Sequence, residues 1–162
     1  MNILYLHGLK SKLSKEKRKI LEQYGNVYAP DINYNHQHIQ PVEILEHYLD
    51  TEFNVVIGSS MGGLNAYIIS ENIGRPALIF NPPLSNYRLT NFKSFYLKGL
   101  ACKQILLGGN DDVVDPLETM TFLGKHLTTS ELNINTDPML GHRIPVSVFE
   151  KQLDTFFSKI CH

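Results

Sequence analysis

Short apolar runs recur along this chain and alternate with stretches in which apolar residues return every three or four positions. Residues 3–6 form the first run, closed by His7 and Gly8, and read as a strand. In the segment 11–24, Leu13, Ile20 and Leu21 recur at helical spacing, and Gly25 stands where a left-handed helix end would fall. Residues 26–29 lead into Pro30 and Asp31 as a second short strand, followed by a polar loop, 31–40, with His36 and His38. Pro41 sits where a helix starts, and Val42, Ile44, Leu45, Tyr48 and Leu49 keep its spacing up to Asp50.

The third run, 53–57, stops at Gly58. Two serines, Met61 and two glycines then open residues 64–69, which read as a buried helix. Gly74, Arg75 and Pro76 break the chain before a fourth run, Ala77 to Phe80, that ends at Asn81, Pro82 and Pro83. The aromatic stretch up to Cys102 admits a short helix over 91–97. Residues 103–107 and 131–135 are the fifth and sixth strands, and 116–127 and 145–160 are helices. Alternation of this kind predicts an α/β fold: a three-layer α/β/α sandwich with a mostly parallel six-stranded sheet, right-handed crossovers and one domain spanning 1–162.

Composition narrows the function classes. At 162 residues, 19% charged and a net charge of -1, the chain has neither the basic excess of a nucleic-acid binder nor the composition of a disordered tail. Two cysteines, Cys102 and Cys161, do not make a disulfide framework and fit a reducing, cytoplasmic setting. The amino terminus is apolar without a basic start, so it reads as a strand and not a signal peptide. No run approaches the ~20 apolar residues of a membrane span.

In parallel sheets ligands bind beyond the carboxyl ends of the strands, and the chemistry-bearing residues of this chain fall there. The pattern G-x-S-x-G is met by Gly58-Ser59-Ser60-Met61-Gly62 between a strand and a helix, which makes Ser60 the candidate nucleophile and Ser59 a spacer. The glycines two before and two after Ser60 spare side chains where strand and helix approach closely, and Gly63 extends that relief. A bland alternative is that Ser60 merely caps the helix. Asp111 and Asp112 follow the fifth strand, and His142 follows the sixth in Leu140-Gly141-His142-Arg143. Asp115 reads as a helix cap before Pro116.

Other signals are plainer. His36 and His38 lack further ligands nearby and read as a solvated loop, so neither a metal nor an organic cofactor is expected. His47, His126 and His162 carry no pattern. Lys10, Lys12, Lys15, Lys17, Arg18 and Lys19 crowd one segment against Glu16. They form a solvated helix face or, on a sharper reading, steer an anionic substrate such as an acyl thioester of coenzyme A.

Taken together, residues 3–8, the turn 58–63, Asn81-Pro82, the acid turn 108–114 and Gly141-His142 resemble the α/β-hydrolase superfamily, and more narrowly the small YqiA/YcfP-like bacterial esterases. The resemblance spans essentially the whole chain. It implies a minimal α/β-hydrolase fold without a full cap domain, because only about twenty residues separate Pro82 from Cys102. It implies a triad of Ser60, Asp111 and His142. Asp111 is chosen over Asp112 because the family pattern G-x-x-D-x-V-V is met by Gly108, Asp111 and Val113. The backbone N–H groups of Met61 and Leu9 would form the oxyanion hole, with His7 supporting that loop. His7, Gly8, Tyr34, Tyr87, Phe92 and Phe95 are candidates to line the substrate site, although the aromatic residues, Tyr96 among them, also suit a core.

The implied activity is hydrolysis of small or medium carboxylic esters through an acyl-enzyme. An acyl-CoA thioesterase or small amidase is the alternative among enzymes, and a non-catalytic binding domain on the same fold is the alternative from another class. The expected partner is a small-molecule ester or thioester, with no nucleic acid and no membrane. Oligomeric state stays open, a homodimer included.

Overall fold

The computed structural model describes residues 1–87, 101–125 and 131–160. Along the chain run β1 (Asn2–Leu6), α1 (Lys15–Leu21), β2 (Asn26–Tyr28), α2 (Pro41–Glu46), β3 (Val55–Ser59), α3 (Met61–Ile73), β4 (Ala77–Phe80), a 3₁₀ turn (Leu84–Asn86), β5 (Lys103–Gly108), α4 (Pro116–Lys125), β6 (Leu132–Asp137) and α5 (Val146–Ile160). The six strands pair in parallel throughout, in the order β2-β1-β3-β4-β5-β6. From β1 the chain moves outward to β2, then returns to the other side of β1 and proceeds to β6. The reversal opens a crevice between the carboxyl ends of β1 and β3.

Helices cover both faces of the sheet, and each face has its own apolar core. On one, Ile44 of α2, Leu64 and Ile68 of α3 and Phe122 of α4 pack on Leu4, Val56 and Ile105. On the other, Leu21 of α1 and Phe149, Leu153 and Phe156 of α5 pack on Ile3, Ile57 and Leu106. The inner strands β1, β3 and β4 are apolar on both faces because both are covered, which is why they read as continuous runs, whereas the edge strands β2 and β6 are partly exposed. Lys103 and Gln104 of β5 are buried polar exceptions: the Lys103 ammonium lies 2.6 Å from Glu71 and 3.2 Å from the Ala101 carbonyl, and the Gln104 amide donates to Gln152 Oε1 at 2.8 Å, partners that make their burial tolerable.

Several boundaries differ from the sequence reading. Helix α1 begins only at Lys15, where the Ser14 hydroxyl accepts from the Lys17 N–H at 3.3 Å, so Lys10 and Lys12 belong to the loop before it. It ends at Leu21, and Gly25 is not its left-handed cap. Gly25 is instead forced by close approach: a Cβ there would lie 2.2 Å from the Met1 carbonyl oxygen, which accepts from the Asn26 N–H at 2.8 Å. The left-handed glycine is Gly74, with φ 64°, closing α3 through its N–H to the Ser70 carbonyl. Helix α2 stops at Glu46, which leaves Leu49 exposed in the turn beyond, and β6 runs on to Asp137. The helix expected over 91–97 and the last two positions of the one expected over 116–127 lie outside the described residues. Among the described residues no helix is long and apolar enough to cross a membrane.

Candidate active site

Ser60 stands at the turn from β3 into α3 with φ 54° and ψ -123°, a conformation that L-residues adopt only under constraint. The constraint is visible in its flanking glycines. A Cβ on Gly58 would lie 2.2 Å from the Gly62 carbonyl oxygen, and one on Gly62 would lie 2.1 Å from the Leu6 carbonyl oxygen. Helix α3 therefore starts in near contact with both its own strand and β1. The backbone is pinned by the Ser60 N–H to the Phe80 carbonyl (2.9 Å) and by the Leu64 N–H to the Ser60 carbonyl (3.1 Å). The Ser60 hydroxyl makes no capping bond to α3. It lies 3.0 Å from His142 Nε2, so capping does not account for it.

The loop after β6 supplies His142, and the loop after β5 supplies Asp111. His142 Nδ1 lies 2.8 Å from Asp111 Oδ2 and 3.0 Å from Oδ1. An ionised carboxylate only accepts, so Nδ1 carries the proton and Nε2 presents its lone pair to the Ser60 hydroxyl. The Asp111 side chain is 1% exposed, and its Oδ1 also accepts the N–H groups of Val113 (2.8 Å) and Val114 (2.9 Å). Asp112, one residue on, is turned out toward solvent. Asp115 accepts from the Leu117 N–H at 2.8 Å at the start of α4, as the helix-cap reading expects.

One residue that ties these loops together is noted in the sequence only as the end of a strand and as part of the Asn81-Pro82 resemblance, with no role assigned. Asn81 follows β4 with φ 44° and is 2% exposed. Its amide nitrogen donates to the carbonyls of Gly141 (3.1 Å) and His142 (3.0 Å), and its amide oxygen accepts from the Gly108 N–H at 2.7 Å. It thereby fastens the histidine loop to the base of the acid loop. The available signal was an asparagine directly after an apolar strand and before Pro82-Pro83, a residue type that tolerates positive φ.

The loop after β1 closes the site from the other side. A Cβ on Gly8 would come within 3.1 Å of Ser60 Cβ, so only glycine lets the loop lie this near the nucleophile without displacement. His7 is buried: its Nε2 accepts from the Ile32 N–H (2.8 Å), which puts the proton on Nδ1 and directs it to the Gly8 carbonyl (2.7 Å). The Tyr34 hydroxyl donates to the His7 carbonyl at 2.7 Å, and the two rings meet edge to face. The rings of His7 and Tyr34 are thus spent on holding the loop, and neither lines the cleft over Ser60. That cleft, about 990 Å³, is walled by Gly8, Leu9, Lys10, Lys17, His142 and Arg143, among others. Tyr87 faces a separate groove of about 600 Å³ beside Tyr34 and packs against Phe122. Phe92 and Phe95 lie outside the described residues. His36 and His38 are exposed, and among the described residues no group of three or more His, Cys, Asp or Glu is placed to hold a metal.

A parallel six-stranded sheet covered on both faces, with a strained serine after β3 and loops after β5 and β6 converging on it, is the α/β-hydrolase fold in a small form. The chain belongs to the uncharacterised protein family UPF0227, whose model matches residues 2–94, a span that includes Gly8 and Ser60 and stops short of Asp111 and His142. No curated protein matches it in sequence. Among solved structures it is similar to SOBER1 from Arabidopsis thaliana (13% identity, 100% of this chain and 99% of that one covered, TM-score 0.74). It is also similar to a carboxylesterase from Bacillus cereus (15% identity, 96% of this chain and 87% of that one, TM-score 0.71). Est1E from Butyrivibrio proteoclasticus is a third (14%, 99% and 88%, TM-score 0.66). At these identities the likeness is one of fold.

Proposed function

We propose that this protein is a serine hydrolase that cleaves small or medium carboxylic esters through an acyl-enzyme on Ser60. The observation that carries the proposal is the continuous chain of contacts from the Ser60 hydroxyl through both nitrogens of His142 to the buried Asp111 carboxylate. The carboxylesterase among the structural neighbours supports the same reading.

In the forward step Ser60 Oγ attacks the ester carbonyl while His142 Nε2 takes its proton. The imidazolium, stabilised by Asp111, then gives that proton to the departing alkoxide, and an alcohol leaves. Water enters and attacks the acyl carbon as His142 takes its proton. The imidazolium then passes that proton to Ser60 Oγ as the acyl C–O bond breaks, which frees the acid and restores both residues. The negative oxygen formed in each half needs two fixed donors, each worth about 3 kcal/mol in the transition state. Met61 N–H serves as one, since it stands at the first position of α3, where the helix itself offers no partner. Leu9 N–H serves as the other, carried by the loop that Gly8 brings against Ser60. Thioesters and activated amides fit the same steps and differ in the leaving group. The two cysteines suit a reducing compartment, and we assign the protein to the cytoplasm.

The test is hydrolysis of p-nitrophenyl esters from acetate to octanoate, beside a matched thioester and anilide. Turnover of esters that falls by about 10⁴-fold or more in Ser60→Ala, with Ser59→Ala close to the parent, is the expected result. Equal loss in the Ser59 variant, or none in the Ser60 variant, would contradict it.

A further inference from the structure

We infer that the substrate carries an anionic group, a carboxylate or a phosphate, on its leaving-group side, and that Arg143 and Lys10 receive it; this rests on the Ser60 reading above. The cleft over Ser60 is lined by Lys10, Lys12, Lys17 and Arg143 against the single carboxylate of Asp112. The whole chain has a net charge of -1, so this excess is local to the cleft and not a property of a basic protein.

The four cations are differently committed. Lys12 reaches Asp31 at 2.7 Å, an exposed pair that holds Asp31 below the usual carboxylate range. Lys17 has no acidic partner among the described residues. Its ammonium donates to the Ile144 carbonyl at 2.7 Å and lies 5.1 Å from the centre of the Phe149 ring, and burial pulls it below the ordinary lysine range. A partly desolvated ammonium held by a carbonyl and a ring face leaves its charge to act on the cleft. Arg143 and Lys10 are exposed and make no ion pair with any described residue, so both are free to meet a ligand.

Their positions fix the side. Arg143 directly follows His142, whose Nε2 must protonate the leaving oxygen, and both residues line the cleft, so the anionic part of the leaving group is placed at Arg143. Lys10 directly follows Leu9, is held at φ 51° and lines the same cleft as His142. An arginine forks onto a carboxylate or phosphate oxygen pair, and a lysine adds a point charge, which is the combination anionic groups attract.

The experiment compares kcat/KM for three butanoate esters of nearly equal size: 3-carboxyphenyl, 3-phosphonooxyphenyl and the neutral 3-(methoxycarbonyl)phenyl ester. The parent, Arg143→Gln and Lys10→Gln are each measured at 20 and 500 mM salt. The ratio of an anionic to the neutral ester should fall about tenfold in either variant, and in the parent it should shrink at high salt while the neutral ester barely responds. The anionic ester with the larger ratio names the group. Ratios that are the same in parent and variants, or equal salt slopes for charged and neutral esters, would overturn this inference while leaving the Ser60 reading intact. Hydrolysis of none of the three would overturn both.

Discussion

Asp111 and Asp112 are neighbours in the chain and share little else. The first is buried, accepts two backbone N–H bonds and meets His142 at 2.8 Å, whereas the second faces solvent. Asp111→Asn should therefore lower kcat by about 10⁴-fold, since an amide at this position favours the wrong imidazole tautomer. Asp112→Asn should stay within a few-fold. Steady-state kinetics on one ester decides it, and equal losses would mean that the loop moves to exchange the two acids. Asn81 acts through others: its side-chain amide bonds to backbone groups of Gly141, His142 and Gly108. Asn81→Ala should reduce kcat by about 10- to 100-fold with KM little changed, at a temperature where the variant is folded. A variant that loses stability yet retains full kcat would make Asn81 a purely structural tie. Ser60 could be singled out from a short local motif, whereas His142 and the choice of Asp111 over Asp112 rest on places after strands and on the family resemblance. Asn81 enters the sequence reading only as part of the Asn81-Pro82 resemblance, without a role, since its three side-chain partners lie 27 to 61 residues away and are backbone groups that any residue would offer.

At the level of elements, the turn between β3 and α3 was legible because glycine spacing there answers a local steric demand. The same logic misassigned Gly25. A glycine after a helical stretch ordinarily ends the helix, but this one is required by the Met1 carbonyl, a contact across 24 residues that no local pattern reports. Helix lengths were overestimated for α1 and α2 because apolar spacing continues past their ends into turns that pack, or fail to pack, for tertiary reasons. Two glycines give opposite predictions. Gly62→Ala would drive a Cβ to 2.1 Å from the Leu6 carbonyl, a backbone atom that cannot rotate away, and should cost about 3 kcal/mol or more. Gly124→Ala, in α4 with nothing within 4 Å of the new Cβ, should stabilise by about 0.5–1 kcal/mol. Urea unfolding midpoints measure both. A Gly62 variant as stable as the parent would remove the steric account of the turn.

At the level of the whole molecule, a mostly parallel sheet with helices on both faces was legible as alternating runs and helices, while the strand order and the two cores it separates were not. The cores also set a limit at high pH. Burial pushes Tyr5 up to about 12 and raises Tyr34 and Tyr67 as well. An unfolded tyrosine loses its proton near 10, so the unfolded chain binds fewer protons than the native one above that value. The stability these residues contribute is present in full below about pH 10 and is lost as the pH rises through about 12. Urea midpoints should therefore drop between pH 9.5 and 11.5, in step with tyrosinate absorbance on unfolding. Constant midpoints across that range would contradict the burial of these rings.

The claim on which the rest depends is that Ser60 is an activated nucleophile. Incubation of the folded protein with a fluorophosphonate, followed by peptide mass spectrometry, tests it most directly. A single adduct on Ser60, absent in His142→Ala, is the predicted result. A folded protein that remains unlabelled, or one labelled on Ser59, would contradict it.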